Sequence, residues 1–66
     1  MPYVNIKLTP EGLTRDKKAT LINQVTKLLQ NELDKNPETT VVIIDEVETD
    51  NWGIGGVSVT ERRSKG

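Results

Sequence analysis

The 66-residue chain has no cysteine, no histidine and no phenylalanine, and its only aromatic residues are one tyrosine and one tryptophan. Without cysteine there is no disulfide and no thiol nucleophile; without histidine there is no imidazole base and no Cys/His zinc site. No excess of one charge is present either: nine Lys+Arg stand against ten Asp+Glu, a net charge of −1. Nothing therefore marks a nucleic-acid partner. The longest purely apolar run, "VVII" at 41–44, falls far short of the roughly 20 residues a membrane helix needs. No cationic segment followed by an apolar stretch opens the chain, so secretion is not indicated. A soluble cytoplasmic protein with no nucleic-acid or membrane partner is the expectation.

These absences expose a problem of size. The chain reads as a single domain over residues 1–66, with no repeat and no linker. A domain this small buries only about 60% of the surface its unfolded chain exposes. Disulfides, a metal or oligomerisation commonly complete such scaffolds. Of these, oligomerisation is the remedy left.

What is present has a simple order. In "YVNIKL" (3–8), Val4, Ile6 and Leu8 alternate with Tyr3, Asn5 and Lys7, the pattern of a half-buried strand. Pro10 and Gly12 punctuate the loop that follows. Leu21, Ile22, Val25, Leu28, Leu29 and Leu33 then form one stripe of a long helix, with Thr14 as its N-cap and Asp16 in its first turn. Lys17 occupies the place where a capping box would carry Glu or Gln, and Asn36-Pro37 is expected to stop the helix. "TTVVIIDEV" is β-branched and continuously apolar from Val41 to Ile44, as in strands covered on both faces. Strand, long helix and strand make a β-α-β unit with two parallel strands joined right-handedly. "NWGIGGVSVTERRSKG" adds a glycine-rich turn, a short strand over Val57 and Val59 and a charged, frayed tail. The fold class is α/β (α+β): a β-α-β protomer with a C-terminal β-hairpin. One helix covers only one face of a small sheet, so a second chain is expected to cover the other.

Few constellations carry chemistry. "DEVETD" (45–50) lacks the ligand offsets and the glycine of a calcium loop, and reads as a solvated strand end. "GIGG" (53–56) does not lie between a strand and a helix N-terminus, as a phosphate loop must, and reads as a tight turn. Trp52 is either a packed indole or a pocket wall. Arg62 and Arg63 are a solvated pair or a bidentate anchor for a carboxylate. Pro2 simply opens the strand, or, with Met1 removed, supplies a secondary amine that titrates far nearer neutrality than lysine.

Taken together, Pro2, the strand, "EGL" before the helix "KKATLINQVTKLL", the apolar "VVIIDEV" and the turn "NWGIGG" resemble the 4-oxalocrotonate tautomerase family over essentially the whole chain. The resemblance implies a protomer that dimerises and assembles as a homohexamer, a trimer of dimers. It also implies cofactor-independent isomerase chemistry in which Pro2, freed of Met1, is the general base. The substrate class is the small-molecule 2-oxo acid and its enol. Trp52 would line the pocket with Ile54, Leu8 and Val41, and their desolvation would lower the proline pKa toward neutrality.

The chain departs from the family at its two substrate-binding arginines, where Leu13 and Val41 stand instead. Its first loop, "LTPEG", is also one residue longer. A pocket without both arginines loses charge-assisted contacts worth roughly 1.5–3 kcal/mol each. A dicarboxylate such as 2-hydroxymuconate is therefore not the expected substrate; an unsaturated or aryl 2-oxo acid fits better. Arg15, Arg62, Arg63 and Lys7 are the candidate replacement cations. The alternatives are a proline-dependent hydratase or dehalogenase, and a non-catalytic oligomer that binds a ligand. No metal or cofactor is implied.

Overall fold

Alternation over Tyr3–Leu8 and β-branching over Val41–Glu46 produce two strands, β1 and β2, which pair in parallel with Tyr3 opposite Val41 and Leu8 opposite Glu46. The structure, a computed structural model, describes residues 1–64. Between the strands runs helix α1, Arg15–Leu33. Thr14 caps it by accepting from the Lys17 amide at 3.1 Å, and Asp16 lies in its first turn.

The helix stops earlier than Asn36-Pro37 would require. Asp34 adopts the left-handed conformation (φ 55°), and its amide returns to the Gln30 carbonyl at 3.0 Å. An αL residue directly after the last turn satisfies the orphan carbonyls and turns the chain away. Asn36 instead caps a 3₁₀ turn over Pro37–Thr39, accepting from the Glu38 amide.

Parallel register assigns the two faces of the sheet. Val4, Ile6, Val42 and Ile44 share the helix side and are half-buried. Tyr3, Val41 and Ile43 share the other and are 63%, 37% and 41% exposed. No element of the described residues covers that second face, as one helix per sheet dictates. The helix itself leaves Leu28 and Leu33 largely in water. Val59 is the one buried side chain among the described residues.

The overall dimensions agree. The radius of gyration is 15.2 Å and the longest extent 45 Å, against about 11 Å expected for a compact chain of this length. The accessible surface is 5121 Å², against roughly 4,200 Å² for a compact protein of this mass.

Beyond β2 the chain forms an arm whose elements contact mainly one another. A 3₁₀ turn at Thr49–Asn51 leads through Trp52 into a hairpin of β3 (Gly53–Ile54) and β4 (Val57–Ser58). Gly55 and Gly56 form its two-residue turn with φ of 61° and 81°, the doubly positive geometry that favours glycine and matches strand twist. The expected strand over Val57 and Val59 is corrected, as is the frayed tail up to Ser64; residues 65–66 of that tail lie outside the described residues. The strand ends at Ser58, and Val59–Ser64 form a short helix, α2. Its cause is local: Ser58 Oγ accepts from the Glu61 amide at 3.2 Å, the N-cap half of a capping box spelled by "SVTE".

Candidate active site

Pro2 stands where the ladder begins. Its carbonyl accepts from the Val41 amide at 3.0 Å, and its side chain is half-buried. The ladder thus holds the carbonyl side of the residue, and the ring nitrogen is left out of it, as proline requires at a strand start. Val41 places an apolar side chain at this end, opposite Tyr3. Met1 is 91% exposed, and its peptide bond to Pro2 is trans.

Trp52 lies at the other end. Its amide donates to the Thr49 carbonyl at 3.3 Å and its carbonyl accepts from the Val59 amide at 2.7 Å, so both sides of the residue are pinned. The indole borders an open depression of about 260 Å³ shared with Lys7, Val47, Asn51 and Gly53. Val47 follows β2, and its amide bonds the Leu8 carbonyl at the end of β1. Lys7 is five residues from Pro2, roughly 16 Å along a strand. Within one protomer the structure therefore brings Val41 to Pro2 but does not bring Trp52 or Leu8 there. Ile54, on β3, is 49% exposed and travels with Trp52.

Lys7 is already engaged. Its ammonium and the Asn5 amide both donate to Asp45 Oδ2 at 2.9 Å. The Asn5 hydrogen bond, and then the Lys7 ammonium, hold the Asp45 carboxyl below its ordinary value. This polar group interrupts an otherwise apolar sheet face. Its only sequence signal is the alternate spacing of Asn5 and Lys7, which means nothing until the register sets Asp45 opposite Lys7.

The candidate cations separate by what they touch. Arg63 pairs with Glu11 in the first loop. Arg62 lies over the hairpin turn, where a Cβ built on Gly55 would stand 4.0 Å from its Nη1. No carboxylate among the described residues pairs with Arg62 or Arg15. Arg15, the first residue of α1, is exposed and borders neither depression. Leu13 lines a second depression of about 330 Å³ with Lys17, Thr20 and Leu21. No grouping of three or more Asp or Glu side chains among the described residues is arranged to hold a metal ion, and no described helix is long and apolar enough to cross a membrane.

Known proteins share this arrangement. The family described as tautomerase enzyme matches residues 2–62. The chain is 66% identical over 65 residues to probable tautomerase K2 of Dickeya dadantii (strain 3937), covering 98% of this chain and 97% of that one. The crystal structure of DmpI from Helicobacter pylori superposes with a TM-score of 0.85 at 48% identity, over 91% of this chain and 98% of that one. TomN, a 4-oxalocrotonate tautomerase homologue of the tomaymycin biosynthetic pathway, does so with a TM-score of 0.85 at 32% identity, over 96% and 95%. With its β-α-β body and hairpin arm both matched from end to end, the chain belongs to the tautomerase family, whose members are isomerases.

Proposed function

We propose that the protein is a cytoplasmic, single-domain tautomerase that interconverts the enol and keto forms of an unsaturated or aryl 2-oxo acid, with Pro2 as general base once Met1 is removed. The observation that carries this reading is the placement of Pro2. Its carbonyl is tied into the sheet by Val41 while its nitrogen is not used by the ladder. The free amine would take the proton of the enol hydroxyl. The carbonyl would form as the C=C electron pair moves to carbon, and the ammonium would return the proton to that carbon. No electrons are gained or lost, so the reaction needs no redox partner.

A base must be neutral at working pH, and desolvation favours that state for an amine. One protomer supplies only Val41 and its own half-burial. The rest of the wall comes from a second copy, whose arm carries Trp52 and Ile54 to Pro2. This assembly, a homo-oligomer built as a trimer of dimers, also covers the apolar face of Tyr3, Val41 and Ile43. Arg62 rides on the same arm, pairs with no carboxylate among the described residues, and anchors the substrate carboxylate. Val41 gives the pocket its apolar character, which favours one carboxylate over two.

The test is ketonisation of an arylenolpyruvate by Met-free protein and by Pro2→Ala. Activity in the parent and its loss in the variant is the expected result. Equal rates in both would leave Pro2 a strand-opening residue and the protein a ligand-binding oligomer.

A further inference from the structure

The arm from Thr49 to Ser64 packs largely on itself. Thr60 Oγ1 lies 2.5 Å from both Thr49 Oγ1 and Asp50 Oδ1, and the buried Val59 is tied to Trp52 through its amide. Among the described residues a single ion pair crosses from this arm to the β-α-β body, that of Arg63 with Glu11. The two residues are 52 positions apart.

Glu11 is prepared for this contact. It lies between Pro10, whose ring fixes φ, and Gly12, whose φ of 77° reverses the loop. Thr9 Oγ1 donates to the same carboxylate oxygen at 2.8 Å. That hydrogen bond first, and Arg63 next, hold the Glu11 carboxyl below its ordinary value. The acceptor is therefore charged and oriented at neutral pH. An exposed pair adds little stability, but it can choose among orientations of an otherwise weakly attached arm. On the same short helix as Arg63, Arg62 lies over Gly55.

We propose that Glu11 is a positioning residue whose pairing with Arg63 sets the angle at which the arm presents Trp52 and Arg62 to the Pro2 of a neighbouring copy. This rests on the reading of Trp52 and Arg62 as parts of the pocket, but it is tested apart from that reading. Trp52 is the chain's only tryptophan, so its fluorescence reports the arm directly.

Acrylamide quenching of Trp52 is measured on the assembled Met-free protein, on Glu11→Gln, on Arg63→Gln and on the exchanged pair Glu11→Arg with Arg63→Glu. At low salt each single variant shifts the arm equilibrium by about two- to five-fold, the range of exposed ion pairs. Its quenching then departs from the parent, and KM for the arylenolpyruvate rises more than kcat falls. The exchanged pair returns both readouts toward the parent. In about 1 M salt, where screening acts within roughly 3 Å, parent and single variants converge. Unchanged quenching in both single variants, or no recovery in the exchanged pair, overturns the proposal. If the parent lacks activity, the proposed function fails while the quenching series still decides the role of Glu11.

Discussion

The Val41 amide donates to the Pro2 carbonyl at 3.0 Å, which makes the proline the first rung of a parallel ladder whose partner begins at an apolar residue. The bond explains how a residue that cannot donate to a sheet is held at its edge. It also separates the two jobs of Pro2, since structure uses the carbonyl and chemistry would use the nitrogen. Replacing Pro2 by alanine keeps that carbonyl. We expect Pro2→Ala to leave the circular dichroism spectrum unchanged and to lower kcat/KM by about 10²–10⁴-fold, the usual contribution of a general base.

The sense of the pH profile follows from the same residue. A base works as the neutral amine, so kcat/KM rises as the pH climbs through the Pro2 pKa and then levels off. A hydratase or dehalogenase using the ammonium as an acid shows the opposite limb. A falling limb through the same range, abolished in Pro2→Ala, would transfer the assignment to that chemistry.

The separation of Pro2 from Trp52 along β1 gives a prediction about mixing. Pro2→Ala and Trp52→Ala are each expected to be poorly active. In a mixed oligomer, some sites combine an intact Pro2 from one chain with an intact Trp52 from another. Random assembly restores about a quarter of the sites when each site draws on two copies. Co-refolding the two variants and assaying ketonisation measures this. No recovery above the sum of the separate variants would place both residues in one protomer.

How much of this was legible in the sequence depends on the range over which each feature is determined. The strand alternation of Tyr3–Leu8, the Thr14 cap and the Gly55-Gly56 turn are local, and the structure shows them as read. The αL stop at Asp34 was hidden because aspartate is not the usual residue there and Asn36-Pro37 offered a stronger signal two residues later. Helix α2 was readable from "SVTE" but was obscured by the alternation of Val57 and Val59. The Asn5–Asp45–Lys7 group and the Glu11–Arg63 pair join residues 38 to 52 positions apart. No local pattern encodes them. Pro2 and Trp52 were named from the family pattern, yet only the register shows that they stand at opposite ends of a protomer.

The two lowered carboxyls contribute to the acid side of stability. Asp45 and Glu11 both lie below their ordinary values of 3.8 and 4.5, chiefly through Asn5 and Thr9 respectively. A carboxyl depressed in the folded state stabilises fully above its unfolded pKa and loses that contribution as pH falls through its folded pKa. The contribution is therefore intact at neutral pH and disappears below the ordinary carboxylate range. Thermal melts from neutral pH into that acid range should show a declining Tm, with a shallower decline in Asp45→Asn. Equal slopes in parent and variant would mean that Asp45 gains no more from Asn5 and Lys7 when folded than it does in the unfolded chain.

The exposed sheet face gives the most direct test of the assembly. Tyr3, Val41 and Ile43 present apolar side chains that α1 does not cover, and 5121 Å² of accessible surface is more than a compact chain of this mass should expose. A charge at position 43 must be desolvated if the copies associate, and the one carboxylate beside it on that face, Asp45, is already engaged by Asn5 and Lys7. Uncompensated burial of that kind is strongly destabilising, on the order of 3–5 kcal/mol. Ile43→Lys is therefore expected to dissociate the oligomer, lower Tm and abolish activity together, whereas Lys27→Ala, on the exposed side of α1, should leave sedimentation unchanged. A well-folded monomer in the parent at micromolar concentration would be incompatible with this reading, because Val59 is the one buried side chain among the described residues of the protomer. The size of the oligomer, the integrity of the fold and the completeness of the catalytic pocket are then one equilibrium, and the Ile43 variant should move all three.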